Sequence, residues 1–66
     1  MKYTYLSSEL AKQRISNRAV CRLLGICEKT LWNKMRGVSE FTLDEAITIR
    51  DAFFPQMRID ELFATN

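Results

Sequence analysis

Apolar residues recur along this chain at intervals of three and four positions, the spacing that places them on one face of an α-helix. Leu6 and Leu10 are four residues apart, and so are Leu31 and Met35. No stretch alternates strictly enough between apolar and polar residues to predict a half-buried strand. The pattern therefore predicts an all-α fold built from five short helices.

Capping residues and helix breakers set the expected bounds. Ser16 is a good N-cap for the second helix, and Gly25 and Gly37 follow the second and third helices, where a positive φ is needed. Thr42 and Glu45 have the spacing of a capping box at the start of the fourth helix. The expected helices run over Thr4–Gln13, Asn17–Leu24, Glu28–Arg36, the stretch between Thr42 and Pro55, and Ile59–Ala64.

The expected core is the sum of the apolar helix faces. The fourth helix has the widest such face, so we expect it to be the most buried. Cys21 is expected to be a small buried hydrophobe, whereas Cys27 is a poor N-cap whose position at a helix start can lower its thiol pKa. The expected core residues are Leu6, Leu10, Ile15, Val20, Cys21, Leu24, Leu31, Met35, Leu43, Ala46, Ile47, Ile49, Phe53, Leu62 and Phe63.

The length of 66 residues predicts a single domain over residues 1–66 with one small core. No apolar run approaches the roughly 20 residues of a membrane span, and the N-terminus has no apolar block typical of a secretory signal. The chain has only two cysteines, too few for a disulfide-rich secreted domain. We therefore expect a cytoplasmic protein that does not enter a membrane.

The residue types that the chain lacks argue against most kinds of catalytic and metal-binding site. The chain has no histidine, which removes the commonest general base and metal ligand. Cys21 and Cys27 cannot form a four-ligand zinc site by themselves, and neither a glycine-rich loop nor paired carboxylates at catalytic spacing is present. We expect no catalytic residue, metal, cofactor or small-molecule ligand, and so no enzyme.

Charge is divided unevenly along the chain. Residues 1–37 hold eight basic and two acidic side chains, a net charge of +6, and residues 38–66 hold two basic and six acidic ones, a net charge of −4. Such a division favours a polyanion as partner of the first half. The alternative is a chance segregation of charge on a solvated surface.

Three segments follow one another in a characteristic order, at residues 15–37, 40–46 and 59–63. They are Ile15-Ser16-Asn17 with Leu23-Leu24-Gly25-Ile26-Cys27-Glu28-Lys29-Thr30-Leu31 and Met35-Arg36-Gly37, then Glu40-Phe41-Thr42-Leu43-Asp44-Glu45-Ala46, and then Ile59-Asp60-Glu61-Leu62-Phe63. Together they resemble the phage-repressor and Cro-type family of helix-turn-helix proteins, also called the XRE family. The resemblance implies a compact five-helix, lambda-repressor-like domain with a helix-turn-helix at about 16–37. Its third helix would enter the major groove of double-stranded DNA.

The resemblance also implies which residues contact DNA. Asn17 matches a position that usually anchors a phosphate, Glu28 and Lys29 open the recognition helix, and Trp32 and Asn33 follow one turn later. Lysine can donate to guanine, asparagine can pair with adenine, and glutamate can accept from cytosine. The candidate DNA-binding residues are Asn17, Arg18, Glu28, Lys29, Thr30, Trp32, Asn33, Lys34 and Arg36, and Arg14 and Arg22 are further candidates for phosphate contacts.

Several of these residues have a simpler interpretation. Lys29 and Arg36 can be solvated surface, and Glu28 can serve only the helix dipole. Trp32 can either face the groove or pack against the loop near Phe41. Cys27 stands where the family usually has a serine or threonine cap.

The expected function is sequence-specific regulation of transcription, as a Cro-like repressor of phage or prophage type. A homodimer on a two-fold site would double the DNA contacts, and the segment Phe53–Phe63 is the candidate interface unless its apolar residues are all core. The alternative is a protein-interaction module, antitoxin-like or docking, that binds little or no DNA. Its contact patch would be exposed Tyr3, Phe54 and Met57.

Overall fold

The structure is a computed structural model that describes residues 2–65, and these residues form five α-helices and no strand. The helices are α1 Thr4–Lys12, α2 Asn17–Leu24, α3 Glu28–Arg36, α4 Leu43–Phe53 and α5 Ile59–Leu62. The expected all-α class is confirmed. The radius of gyration of 10.6 Å is close to the value of about 10.8 Å that a compact domain of this length has.

The local signals at the helix ends act as predicted. The Ser16 hydroxyl accepts the Ala19 N–H at 3.2 Å, and Gly25 ends α2 with a φ of 69°. Both hydrogen bonds of the capping box are present: Glu45 N–H donates to Thr42 Oγ1 at 3.1 Å, and Thr42 N–H donates to Glu45 Oε1 at 2.9 Å. The bounds of α2 and α3 are those expected from the sequence.

The first and last helices are shorter than predicted. α1 ends at Lys12 because Arg14 takes a left-handed φ of 57°, and its N–H donates to Ala11 O at 3.1 Å. A non-glycine residue in that region costs roughly 1–2 kcal/mol, which explains why the sequence did not indicate the turn. α5 stops at Leu62 rather than Ala64, since Ala64 N–H bonds three residues back to Glu61 O at 3.3 Å.

Each helix packs extensively against one or two other helices. α2 packs against both α3 and α4, and α5 packs against α4 and α1. The side chains buried between them are Tyr3, Leu6, Leu10, Val20, Cys21, Leu31, Met35, Ala46, Ile49, Phe54 and Leu62. Phe41 and Phe63 cover one side of this core edge-to-face with Tyr3, with ring centroids 5.1 and 6.0 Å from that of Tyr3.

Four expectations about burial are wrong. Ile47 is only partly buried and does not belong to the core cluster. Leu43, the first residue of α4, is 68% exposed. α4 is not the most buried helix: it buries Ala46 and Ile49, and α1, α2 and α3 also bury two residues each. Tyr3 and Phe54 are core residues, so they cannot form the exposed docking patch.

Over residues 2–65, no helix has both the length and the apolar character needed to cross a membrane.

Candidate nucleic-acid interface

The outer face of α3 is the most distinctive surface that the fold presents. Leu31 and Met35 bury the inner face of this helix, at 2% and 5% exposure. Lys29, Trp32 and Arg36 are exposed. Asn33 is partly exposed. The structure therefore brings together the lysine, asparagine and arginine that helical spacing placed opposite the core, with the tryptophan beside them.

Trp32 and Arg36 form a pair on this surface. The Arg36 guanidinium carbon lies 6.0 Å from the Trp32 ring centroid, within the range of a cation–π contact. Trp32 remains 48% exposed, whereas Phe41 packs against Tyr3 and Phe63. About half of the Trp32 side chain is therefore accessible on this surface.

The start of α3 combines an exposed acid with an unusual cap. Glu28 is exposed in the first turn, where its negative charge suits the helix dipole. Cys27 has the extended backbone of an N-cap but no side-chain capping hydrogen bond. Its Sγ instead lies 3.2 Å from Thr30 Oγ1. The Thr30 hydroxyl therefore has a partner within the protein.

The two thiols should differ in reactivity. The contact with Thr30 lowers the pKa of the Cys27 thiol, and backbone N–H groups at the start of α3 add to this effect. Burial raises the pKa of the Cys21 thiol, and the charge of Glu28 raises it further.

We expect a thiol-reactive aromatic disulfide at neutral pH to react rapidly with Cys27 in the folded protein and with Cys21 only after unfolding. Cys27→Ser should abolish the rapid phase, and a rapid phase that survives this change would contradict the assignment.

Lys34 lies on the flank of α3 and faces into the molecule. Its side chain is 11% exposed, and its ammonium donates to Glu45 Oε1 at 2.9 Å and to Glu40 O at 3.1 Å. It also lies 5.9 Å from the centroid of the Phe41 ring. We therefore leave Lys34 out of the candidate interface. The partner Glu45 is eleven positions away, so no local pattern in the sequence indicated this pair.

The chain's first described residues hold the other end of α3. Lys2 N–H and Tyr3 N–H donate to the carbonyl oxygen of Met35, at 3.0 and 3.4 Å. Gly37 has a φ of 87°, and a Cβ on it would lie 2.8 Å from Lys2 Cδ. The positive φ is the reason for glycine at this position, because the flexible Lys2 side chain could move away from a Cβ.

The candidates on α2 lie at its start. Asn17 and Arg18 are exposed in its first turn, after the cap Ser16, and Arg22 is exposed one turn later. Arg14, in the turn before α2, is exposed as well. The basic residues expected to contact phosphates are therefore accessible, apart from Lys34.

Comparison with family models, with curated proteins and with solved structures finds no match for this chain.

Residues 2–65 contain no candidate metal site. Among residues 2–65, no three side chains of the ligating types Cys, Asp and Glu are grouped so that they could hold a metal ion. What the outer face of α3 offers is hydrogen-bond donors, positive charge and one exposed aromatic ring.

Proposed function

We propose that this protein is a sequence-specific regulator of transcription that places α3 in the major groove of double-stranded DNA. The observation that carries this proposal is the outer face of α3, where Lys29, Asn33 and Arg36 lie with Trp32 on a short, accessible helix. The major groove is about 12 Å wide, and a helix with its side chains has a diameter of about 10–12 Å. A helix with donors on one side is suited to read base edges there.

The connection between α2 and α3 supports the same proposal. Gly25 ends α2 in the left-handed region, Ile26 and Cys27 follow, and α3 begins at Glu28 and packs back against α2. We interpret this arrangement as the helix-turn-helix of a lambda-repressor-like domain, in line with the resemblance of the sequence to the phage-repressor and Cro-type family. On that basis the regulator is a repressor of phage or prophage type, acting in the cytoplasm.

Each side chain of the face has a definite chemical role in this proposal. Lys29 donates to O6 or N7 of a guanine, and Asn33 pairs with N6 and N7 of an adenine. Glu28 accepts from N4 of a cytosine, and the Trp32 ring packs on a thymine methyl group or a sugar. The Arg36 guanidinium, held beside Trp32, neutralises a phosphate.

Phosphate contacts from the basic first half would supply most of the affinity. The exposed cations available for them are Arg14, Arg18, Arg22, Lys29 and Arg36. If four of them bind phosphates, the logarithm of the binding constant should fall with the logarithm of salt concentration at a slope of about −3.6 per domain. Asn17, in the first turn of α2, adds a neutral phosphate contact.

We also propose a homodimer, because one helix of this length contacts few base pairs. Two copies related by a two-fold axis would read half-sites about one turn of DNA apart. A shallow cavity of about 310 Å³ at the carboxyl end of α4 is a candidate contact for the second copy. It is lined by Gln13, Phe53, Phe54, Pro55, Gln56 and Met57.

Selection of binding sites from randomised duplex DNA, at two salt concentrations, tests the proposal. An enriched two-fold sequence would support a specific dimeric regulator, and an enriched single half-site would support a monomeric one. A sample that is folded by circular dichroism and yet enriches no sequence at either salt would overturn DNA-binding regulation. Trp32, the chain's one tryptophan, offers a direct fluorescence signal for the titrations that follow.

A further inference from the structure

Polar groups hold the carboxyl-terminal half of α3 against the rest of the domain. α3 makes its extensive helix contacts with α2, whereas α4 packs mainly against α2 and α5. The last two turns of α3 are joined to the remaining structure by the Lys34 side chain and by the Met35 carbonyl, which accepts the N–H groups of Lys2 and Tyr3. Burial of Leu31 and Met35 turns the inner face of α3 toward the core, and these few polar bonds hold the flank and the carboxyl end of the helix in addition.

The bond made by Lys34 connects α3 to the start of α4. Its ammonium and the Thr42 N–H both donate to the same atom, Glu45 Oε1, each at 2.9 Å. The side chains of Lys34 and Glu45 are only 11% and 20% exposed, so water and salt screen this pair less than a surface pair. The oxygen that completes the capping box of α4 thus also fixes the flank of α3.

The Glu45 carboxyl is charged at neutral pH. Burial raises its pKa, but hydrogen bonds from the Thr42 backbone and from the Lys34 ammonium outweigh that effect and hold the pKa below its usual value. The acceptor of the Lys34 ammonium is therefore a carboxylate. The Lys34 ammonium also donates a hydrogen bond to the carbonyl oxygen of Glu40, in the loop between the two helices, at 3.1 Å.

We propose that Lys34 and Glu45 are positioning residues for DNA recognition: their ion pair fixes the rotation of α3 about its axis and so decides which base edges Lys29 and Asn33 reach. This inference rests on the proposed DNA-binding function. With its side chains a helix has a radius of about 5–6 Å, so a rotation of about 15° moves a side-chain tip by about 1.5 Å. Such a displacement exceeds the range over which a hydrogen bond keeps its geometry.

Two substitutions remove the ion pair with little change of shape. Lys34→Met keeps the apolar stem and removes the ammonium. Glu45→Gln removes the negative charge and so weakens the charge-assisted hydrogen bond from Lys34, but it keeps an oxygen that can accept the Thr42 N–H. The cap of α4 is therefore preserved, and this variant tests the charge pair even if the first folds poorly. Asp60→Asn is the matched control, because it removes the Arg58–Asp60 pair, whose side chains are 74% and 68% exposed.

The first measurement is the ratio of dissociation constants for a scrambled and a selected duplex, with all variants folded by circular dichroism. We expect Lys34→Met and Glu45→Gln to lower this ratio roughly tenfold, the order of one base contact, and Asp60→Asn to leave it unchanged. The salt slope should remain that of the unmodified protein. A slope reduced by about 0.9 per domain in Lys34→Met would mean that Lys34 binds a phosphate and would overturn the proposal, as would an unchanged ratio in both variants.

The second measurement needs no DNA and separates this inference from the proposed function. Residual dipolar couplings of the backbone amides report the orientation of α3 relative to α4. We expect this orientation to change in Lys34→Met and in Glu45→Gln, but not in Asp60→Asn. A protein that binds no duplex would overturn the proposed function, and its variants would still show whether the pair orients α3. An unchanged orientation in both variants would overturn the positioning role.

Discussion

Ile49→Ala is expected to lower the free energy of unfolding by about 2–5 kcal/mol. Ile49 has no exposed surface and lies in the middle of α4, inside the core cluster. The substitution removes buried apolar surface and leaves a cavity that the surrounding helices fill only in part. A domain of this length has a total stability of roughly 3–10 kcal/mol, so the variant should be largely unfolded or close to it.

Leu43→Ala is the matched control on the same helix. Leu43 is also a large apolar residue of α4, but it is 68% exposed. We expect its replacement to change the free energy of unfolding by no more than about 0.5 kcal/mol. Urea unfolding followed by far-ultraviolet circular dichroism measures both variants. Equal effects of the two substitutions would contradict the core described here.

Asn33→Ala and Lys29→Ala are expected to relax the DNA sequence preference, each at one position of the site. A bidentate base contact contributes about 1–3 kcal/mol of discrimination, which corresponds to a loss of roughly 5- to 150-fold in affinity for the preferred sequence. Asn33→Ala should leave the salt slope unchanged, because asparagine neutralises no phosphate. Both side chains are at least partly exposed, so these substitutions should leave the fold intact.

Two further variants show whether that effect belongs to base recognition. Arg36→Ala should weaken binding to preferred and scrambled duplexes alike and reduce the salt slope by about 0.9 per domain, since a phosphate contact carries no sequence information. Arg58→Ala removes a positive charge of equal size from the exposed carboxyl-terminal half and should change the affinity little. Fluorescence titration of Trp32 with selected and scrambled duplexes gives all four results. If Asn33→Ala lowered the affinity for selected and scrambled duplexes equally, this would contradict the role of Asn33 as a base reader.

The parts of this fold that could be predicted from the sequence depend on neighbours a few positions away. Ser16, Gly25 and the pair of Thr42 and Glu45 act through bonds to residues three or four positions distant, and their helix ends agree with the structure. The outward placement of Lys29 and its neighbours on α3 follows from helical periodicity alone. Local chemistry and regular spacing are therefore enough to predict these features.

The features that could not be predicted depend on contacts between distant segments. Tyr3 is a surface residue only in the alternative hypothesis of a docking module, yet it packs on Phe41 and Phe63, which are far away in the chain. Lys34 has the position of a helix-terminal cation, and only the tertiary fold brings it to Glu45. Arg14 has a left-handed backbone that its residue type disfavours, so nothing local indicated that turn. Each of these contacts needs the completed packing of the helices.

The docking of the first residues onto α3 has a practical consequence for fusion proteins. Because the backbone of Lys2 and Tyr3 is bonded to Met35, any tag joined ahead of Lys2 emerges beside the last turn of α3. A bulky partner there would stand next to the face that we assign to DNA and could block it. At the opposite end, Thr65 follows α5 in an exposed stretch. Reporter domains and affinity handles therefore belong at the carboxyl terminus, and an inactive amino-terminal fusion says little about the protein itself.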